Sequence, residues 1–411
     1  MKSDPALMNS KGKRILIISE RFFPEEFIVN ELVESLKEKG LVFDVLTQAP
    51  SYPYGRVSAY PGYRNKFLDI SYWQGIRVYR IKTIQGYRES RVKKILNYIH
   101  FAIFCSIVFL FIGRRYHKIF VFHSGPLTVA TPALIGKMFF KTVNTIWSVD
   151  LWPDTVYMYG VKQTKFSKAL LNKLVRVIYK QFDEIYCSSP AFAQRLQHYV
   201  GNKPIKTLLQ WPQITGGASP DEHTVLNPEF FHFTFTGNIA WTQNLENVML
   251  GFTLASEQNP RIMLNIFGDG SDLERLKGIK AHKNLTNVIF WGRRPLHEMP
   301  AIYAQSQVLL ISIQSDPVFD LYIPLKFSTY LAFSKPVYAI MNGVVAEMVE
   351  DNNLGLSADP SNPEKIGEGF ARLALTDGAL LSECGENCTR IEQKYFNKEK
   401  NIRVLFDVLQ S

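Results

Sequence analysis

Short apolar runs, each followed by an amphipathic helical stretch, recur along this chain and limit it to one kind of architecture. RILIIS (14–19) reads as a buried strand. Residues 25–39 then set Phe27, Leu32, Val33 and Leu36 at helical spacing until Gly40 ends the pattern, and FDVLT (43–47) is the next strand. KIFVF (118–122), TIWSV (145–149), EIYCS (184–188) and TLLQW (207–211) continue the series. Strand–helix–strand succession with short joints builds a parallel sheet covered on both faces.

The segment WPQITGGASPDEHTVLNPE (211–229) interrupts this rhythm with Pro, Gly and polar residues, and the pattern then restarts. HFTFTG (232–237), a helix over 243–257, MLNIFGDG (263–270), a helix to about 280, NVIFWG (287–292) and VLLIS (308–312) form a second series. The expectation is an α/β protein of two doubly wound Rossmann-like domains, 1–212 and 213–395, facing a cleft. A C-terminal amphipathic helix within 396–411 is able to pack back on the first domain. At 411 residues the chain has room for two such domains. Ligands of open α/β sheets bind beyond the carboxyl ends of the strands, so those loops are where chemistry is expected.

Charge narrows the partners. The chain carries a formal +10, which suits anionic lipid, anionic substrates or nucleic acid. No paired zinc ligands or aromatic RNP strand accompany that charge, and no nucleic-acid partner is expected. Arg88, Arg91, Lys93 and Lys94 precede the most apolar run, Ile95 to Ile112, and Arg114, Arg115, His117 and Lys118 follow it. This stretch reads in three ways: a membrane span, a helix lying on an anionic bilayer through 91–118, or an ordinary buried helix. The four cysteines are scattered; only Cys384 and Cys388 lie close, without partners to complete a zinc set. The opening MKSDPALMNSKGKR has no apolar core, so a cytoplasmic location is expected.

Loops at the strand ends of the second half look suited to a nucleotide diphosphate. In FTGNIAWTQN (235–244), Gly237 permits close backbone approach, and Asn238 and Gln243 offer neutral hydrogen bonds. In FGDGSDLE (267–274), Gly268, Asp269 and Gly270 form a tight turn before a helix. WGRRP (291–295) supplies Arg293. The richest stretch is SDPVFDLYIPLKFSTYLAFSKP (315–336), in which Pro324 opens a helix and Lys326 sits in its first turn. Lysine there opposes the helix dipole, unless an anion lies between the ammonium and the helix end. The first strand runs into SERFFPEEF without a GxGxxG, and no P-loop occurs, which argues against dinucleotide and P-loop enzymes.

In order and spacing these loops resemble the retaining GT-B glycosyltransferases of family 4, within them the WbuB-like group of bacterial surface-polysaccharide enzymes. FFPEEFIVNELVESLKEKG and VLTQAPSYPYG are similar to that group's opening, SVDLWPD (148–154) to its DLWPE motif, and FTGNI, IFGDG, FWGRRP and the IP.K run to its second half. The resemblance implies a nucleotide-sugar donor held by Gly237, Asn238, Gln243, Gly268, Asp269, Gly270, Arg293, Asp316, Pro324, Lys326, Ser328 and Thr329. It implies catalytic roles for His123, Asp150 and Lys326, and an acceptor side built from Glu25, Glu26, Tyr52, Trp152 and Asp154. Capping is the alternative for Asp154, and a strand-end histidine bonded to backbone is the alternative for His123. Relatives often carry Arg and Lys near the places of Asn238 and Asn244, a Glu pair separated by seven residues where the corresponding helix here has Ser328 and Thr329 and no acid, and Gly at Ser334. Phosphate binding is then expected to fall largely on Lys326.

The resemblance implies transfer with retention to a glycan carried on polyprenyl diphosphate, for O-antigen, capsule or exopolysaccharide. It implies a peripheral site on the inner membrane face, with no resident metal and no cofactor beyond the sugar-nucleotide substrate. A UDP-sugar 2-epimerase of the same fold and a non-catalytic membrane-associated scaffold are the alternatives.

Overall fold

The computed structural model describes residues 14–87, 90–158, 162–214 and 226–411. Contacts group the chain up to Leu208 with Ile402–Ser411 as one compact unit, and Leu209–Asn401 as another.

The first unit comprises β1 (Arg14–Ser19), α1 (Ile28–Glu38), β2 (Phe43–Gln48), β3 (Leu68–Trp73), β4 (Ile76–Ile81), α2 (Arg91–Ile112), β5 (Tyr116–His123), α3 (Thr131–Ile135), β6 (Val143–Ser148), α4 (Asp154–Met158), α5 (Lys165–Tyr179), β7 (Glu184–Cys187), α6 (Pro190–Val200) and β8 (Ile205–Thr207). Its eight strands run in the order β3-β4-β2-β1-β5-β6-β7-β8. All neighbours are parallel except β3, which pairs antiparallel with β4. That hairpin turns at Gln74 and Gly75, with φ of 48° and 81°. Two successive positive φ values define the primed turn that joins twisted antiparallel strands. The edge therefore departs from the all-parallel sheet expected.

TLLQW is also corrected. Pairing stops at Thr207, where the chain leaves the sheet, and the Leu208 carbonyl instead accepts a hydrogen bond from the Trp147 indole at 3.0 Å. The joint at 211–229 lies largely in residues outside those described.

The second unit comprises β9 (Phe231–Thr236), α7 (Leu245–Gln258), β10 (Ile262–Phe267), α8 (Leu273–His282), β11 (Val288–Gly292), α9 (Met299–Gln305), β12 (Val308–Ser312), α10 (Leu325–Ala332), β13 (Val337–Ile340), α11 (Val344–Asp351), β14 (Gly355–Ala358), α12 (Pro363–Leu375) and α13 (Gly378–Ile391). The order is β11-β10-β9-β12-β13-β14, parallel throughout. Strand side chains alternate between faces, so Leu309 and Ile311 enter one apolar cluster while Val308 and Leu310 enter the other. Burial on both faces explains why β12 reads as an unbroken apolar run.

The last helix, α14 (Lys398–Gln410), finishes in the first unit. Lys118 donates from Nζ to the Val408 carbonyl at 2.7 Å and the Leu409 carbonyl at 3.3 Å. A cation on the last carbonyls of a helix satisfies orphan acceptors and the negative end of the dipole. Lys118 is thus buried structure, which corrects its assignment to a lipid-facing basic flank.

Helix α2 is neither wholly buried nor free. Asn97 is fully buried, with Oδ1 accepting from Gln48 Nε2 at 2.8 Å, Thr83 Oγ1 at 3.1 Å and the Ile84 amide at 2.8 Å. Phe101, Cys105 and Phe109 bury the same side, while Ile95, Ile99, Ile103 and Phe111 are exposed. One face is therefore committed to the unit's own core.

Candidate active site

The second-unit site forms where the loops after β9 and β10 meet the start of α10. Tyr303 on α9 and Tyr330 on α10 fix its floor: both phenolic oxygens lie 3.0 Å from Thr236 Oγ1 at the end of β9. Tyr330 follows Lys326 by one helical turn, so this anchor also sets where Lys326 points.

Pro324 caps α10, and Lys326 occupies the second helical position. Its Nζ donates to Gln243 Oε1 at 2.8 Å and lies 4.1 Å from the centroid of the Phe235 ring. Among the described residues no carboxylate pairs with it. Burial pushes the ammonium down to about 7. A desolvated cation with only an amide oxygen and a π face for company is stabilised strongly by an incoming anion. Gly237 holds the space open: its φ is 134°, and a β-carbon there would lie 3.0 Å from Lys326 Nζ.

Gly268 and Gly270 serve a different purpose from the ligand approach expected. A β-carbon on Gly268 would lie 1.8 Å from the Gly237 carbonyl oxygen, and one on Gly270 would lie 2.1 Å from that of Ile239. These glycines let two loop backbones touch. Asp269 Oδ1 accepts from the Gly270 amide at 2.7 Å, and Asp316 Oδ1 from the Val318 amide at 2.8 Å, so both acids shape their own turns. Ser328 is buried and donates to the Leu325 carbonyl at 2.8 Å; Thr329 is buried beside it. Those two hydroxyls are interior, which corrects their placement on the donor surface. Asn238 and Arg293 are exposed on their loops. Asn244 takes a left-handed conformation, φ 54°, and donates to the Pro360 carbonyl at 2.6 Å, a structural role. Phe235 was not anticipated as a partner of Lys326; its place in FTGNI, two residues before the Gly237 loop, was the available signal.

In the first unit the expected residues are held by one another. His123 is fully buried at the end of β5. Its Nε2 lies 2.8 Å from the Gly125 carbonyl and therefore carries the proton, while Nδ1, 3.1 Å from Ser148 Oγ, accepts. Burial pushes this imidazole down to about 4, so it is neutral. With both nitrogens engaged, His123 is a positioning group for the 124–126 turn, which corrects its assignment as a catalytic side chain.

Glu25 is buried and accepts at one oxygen from the Ser51 and Tyr52 amides, each at 2.6 Å. Arg21 reaches the same oxygen at 3.3 Å, and also Glu20 at 3.1 Å and the Tyr87 hydroxyl at 3.0 Å. Burial raises Glu25 against the pull of Arg21. It fastens the 50–53 loop, and its acceptor-side assignment is corrected accordingly. Asp154, also buried, pairs through Oδ1 with the exposed Arg195 at 2.5 Å, while its Oδ2 is buried without a hydrogen-bond partner among the described residues. Asp150 Oδ1 accepts from the Leu151 amide at 2.9 Å. Trp152 is half-buried, while Glu26 and Tyr52 are exposed. Among the described residues no group of three His, Cys, Asp or Glu is placed to hold a metal.

Residues 221–390 match the family described as Glycosyl transferases group 1. That part of the chain is similar to the group 1 glycosyltransferases. The probable glycosyltransferase WbjE of Pseudomonas aeruginosa is 22% identical over 247 residues, 58% of this chain and 60% of that protein. The uncharacterized glycosyltransferase MJ1069 of Methanocaldococcus jannaschii is 22% identical, covering 66% of this chain and 69% of its own length. Against WbjE, then, the chain spans less than two thirds of the relative's length. Among solved structures, sucrose-phosphate synthase from Thermosynechococcus elongatus superposes with a TM-score of 0.71 at 16% identity, covering 97% of this chain and 98% of its own. The Anabaena protein HepE, solved with UDP and glucose, gives 0.66 at 12%, covering 97% and 100%. The fold of two parallel-sheet Rossmann-like domains is that of the GT-B glycosyltransferases.

Proposed function

We propose that this chain transfers a sugar from a nucleotide-diphosphate-sugar to a glycan acceptor, with retention of anomeric configuration. The observation that carries this reading is Lys326: a half-buried ammonium in the first turn of α10, without an acidic partner among the described residues, beside a glycine that keeps its approach clear. When the bond between the anomeric carbon and the β-phosphate oxygen breaks, negative charge grows on the phosphate. A fixed cation and helix amides, already oriented, meet that charge without reorganising, and such preorganised electrostatics supply most of the rate enhancement in many enzymes. They do here what a divalent cation does elsewhere, and the proposal is metal-independent. The acceptor hydroxyl attacks on the leaving-group face and passes its proton to the departing phosphate oxygen. The HepE complex with UDP supports a uridine nucleotide as the first donor to try.

The acceptor is proposed to be a polyprenyl-diphosphate-linked glycan of a bacterial surface polysaccharide, met on the inner face of the membrane. The exposed apolar side of α2, with Lys93 and Arg114 near its ends, supports that placement. A thermal-shift screen of nucleotide-sugars tests the donor. A ligand at about a hundred times its dissociation constant adds about 2.7 kcal/mol. Stabilisation by one nucleotide-sugar, lost in Lys326→Ala, supports the reading, whereas equal stabilisation of both proteins removes Lys326 from it. Mass spectrometry of the products then separates transfer from isomerisation.

A further inference from the structure

Positive charge is distributed very unevenly along this chain. Residues 91–182 contain fourteen Lys and Arg but only two acids, Asp150 and Asp154, a formal +12 against +10 for all 411 residues. The remainder is therefore slightly acidic. The basic stretch includes α2, α3 and α5, and no carboxylate lies within any of these helices.

The three helices are neighbours. Thr131 on α3 donates to the Ala102 carbonyl of α2 at 3.1 Å, and Ser106 of α2 donates to Thr131 at 3.0 Å. Phe140, just beyond α3, meets Phe109 of α2 edge-on with centroids 5.6 Å apart. Helix α5 packs on α3. Helix α2, the turn after α3 and helix α5 each expose large apolar side chains: Phe111 is 83% exposed, Met138 71% and Phe166 77%. Phe139 and Leu170 are exposed with them.

The arrangement on α5 is the informative one. Val175, Ile178 and Tyr179 bury its inner side. Phe166 and Leu170 are one turn apart on the outside, and Lys165, Lys168 and Lys173 are exposed around them. Apolar side chains that enter the acyl boundary, ringed by cations that meet head groups, are the features of an interfacial helix. A second copy of the chain would bring one strongly basic face against another, so charge complementarity selects an anionic surface instead.

We propose that α2, the 137–141 turn and α5 form one continuous surface that seats this unit on an anionic lipid bilayer, with α5 contributing a second, separate insertion point. This rests on the membrane placement proposed above and extends it from one helix to three elements. It does not rest on the donor site, so vesicle binding and nucleotide binding can fail independently.

The test is flotation of the full chain with phosphatidylcholine vesicles made with and without phosphatidylglycerol, at low and high salt. Wild-type protein is expected to float only with the anionic vesicles and to be released as salt rises. Phe166→Ser with Leu170→Ser should weaken that binding at least about tenfold. Neutralising Lys165, Lys168 and Lys173 together to Gln should weaken it about a hundredfold. Retained thermal stabilisation by a nucleotide-sugar or UDP, or an unchanged circular dichroism melt, shows that these surface variants are folded. Wild-type protein that stays at the bottom of the gradient overturns the proposal. So do α5 variants that float as well as wild type, which would leave α2 acting alone. A dimer in solution that the Phe166 and Leu170 changes dissociate would identify a second copy as the occupant, and would also overturn it.

Discussion

The carboxyl ends of the two sheets treat their polar side chains in opposite ways. In the first unit, Arg21, Glu25, His123 and Asp154 are buried, and each has protein partners. In the second, Lys326 has a neutral amide, an aromatic face and a glycine-made gap. A polar group bonded to charged or amide neighbours of the protein holds a loop in place. A cation left short of charge in a crowded setting is ready for an anion. Residue type alone does not separate the two cases, because both sets lie in polar loops after apolar strands.

The largest effect that tests this contrast is expected at Glu25. Removing it leaves Arg21 short of one partner and frees two amides, so Glu25→Ala should cost about 3–5 kcal/mol of stability in denaturant unfolding. UDP binding by the folded protein should persist. A stable Glu25→Ala that no longer transfers sugar would break the contrast, by making this cluster part of the chemistry. Next is Lys326→Ala, which should lower turnover by about two to three orders of magnitude while the melting temperature barely moves. Near wild-type turnover would remove the ammonium from the reaction.

His123 gives a pH signature of the first unit. Its folded value of about 4 lies below the ordinary 6.5, so the unfolded chain binds the proton more readily. Stability present above about 6.5 should be lost as pH falls toward 4, by about 3 kcal/mol in total. His123→Asn should flatten that slope in urea titrations. Gly237→Ala forces a side chain into φ 134° beside the ammonium. It should cost about 1–3 kcal/mol, read jointly in the melt and in UDP affinity. Smallest is the donor's pH dependence. Lys326 is mostly neutral above about 7 and regains its proton when diphosphate binds. Calorimetry in buffers of different ionisation heat should therefore show proton uptake above pH 7. Affinity should fall by up to about tenfold per unit of rising pH, and Lys326→Arg should abolish that trend.

Much of the architecture was legible in the sequence because strands buried on both faces leave unbroken apolar runs. VLLIS matches β12 residue for residue, and RILIIS matches β1. The β3–β4 hairpin was missed although Leu68, Ile70 and Tyr72 alternate with Asp69 and Ser71, because its turn is Gln-Gly instead of the commoner Asn-Gly. At the site, Pro324 and Lys326 stood out because a cation at a helix N-terminus violates a local electrostatic preference. Phe235 did not stand out, since a phenylalanine near the end of a strand reads as core, which it also is, until its neighbour across the fold is known. Gly268 and Gly270 look like turn makers in the sequence, whereas their freedom serves contact between two loops distant along the chain.

The sequence by itself determined the class of fold, the restart of the pattern at the second unit and the loops in which an anion could be held. All three depend on local period, propensity and the placement of Gly and Pro. Only the tertiary structure decided which polar groups remain available. His123 and Glu25 are occupied by residues that folding brings to them, such as Ser148 and the 51–52 amides. Lys326 meets no acid among the described residues. Hydrogen-bond saturation and desolvation depend on neighbours far away along the chain, and those neighbours are set by packing, which no local pattern records.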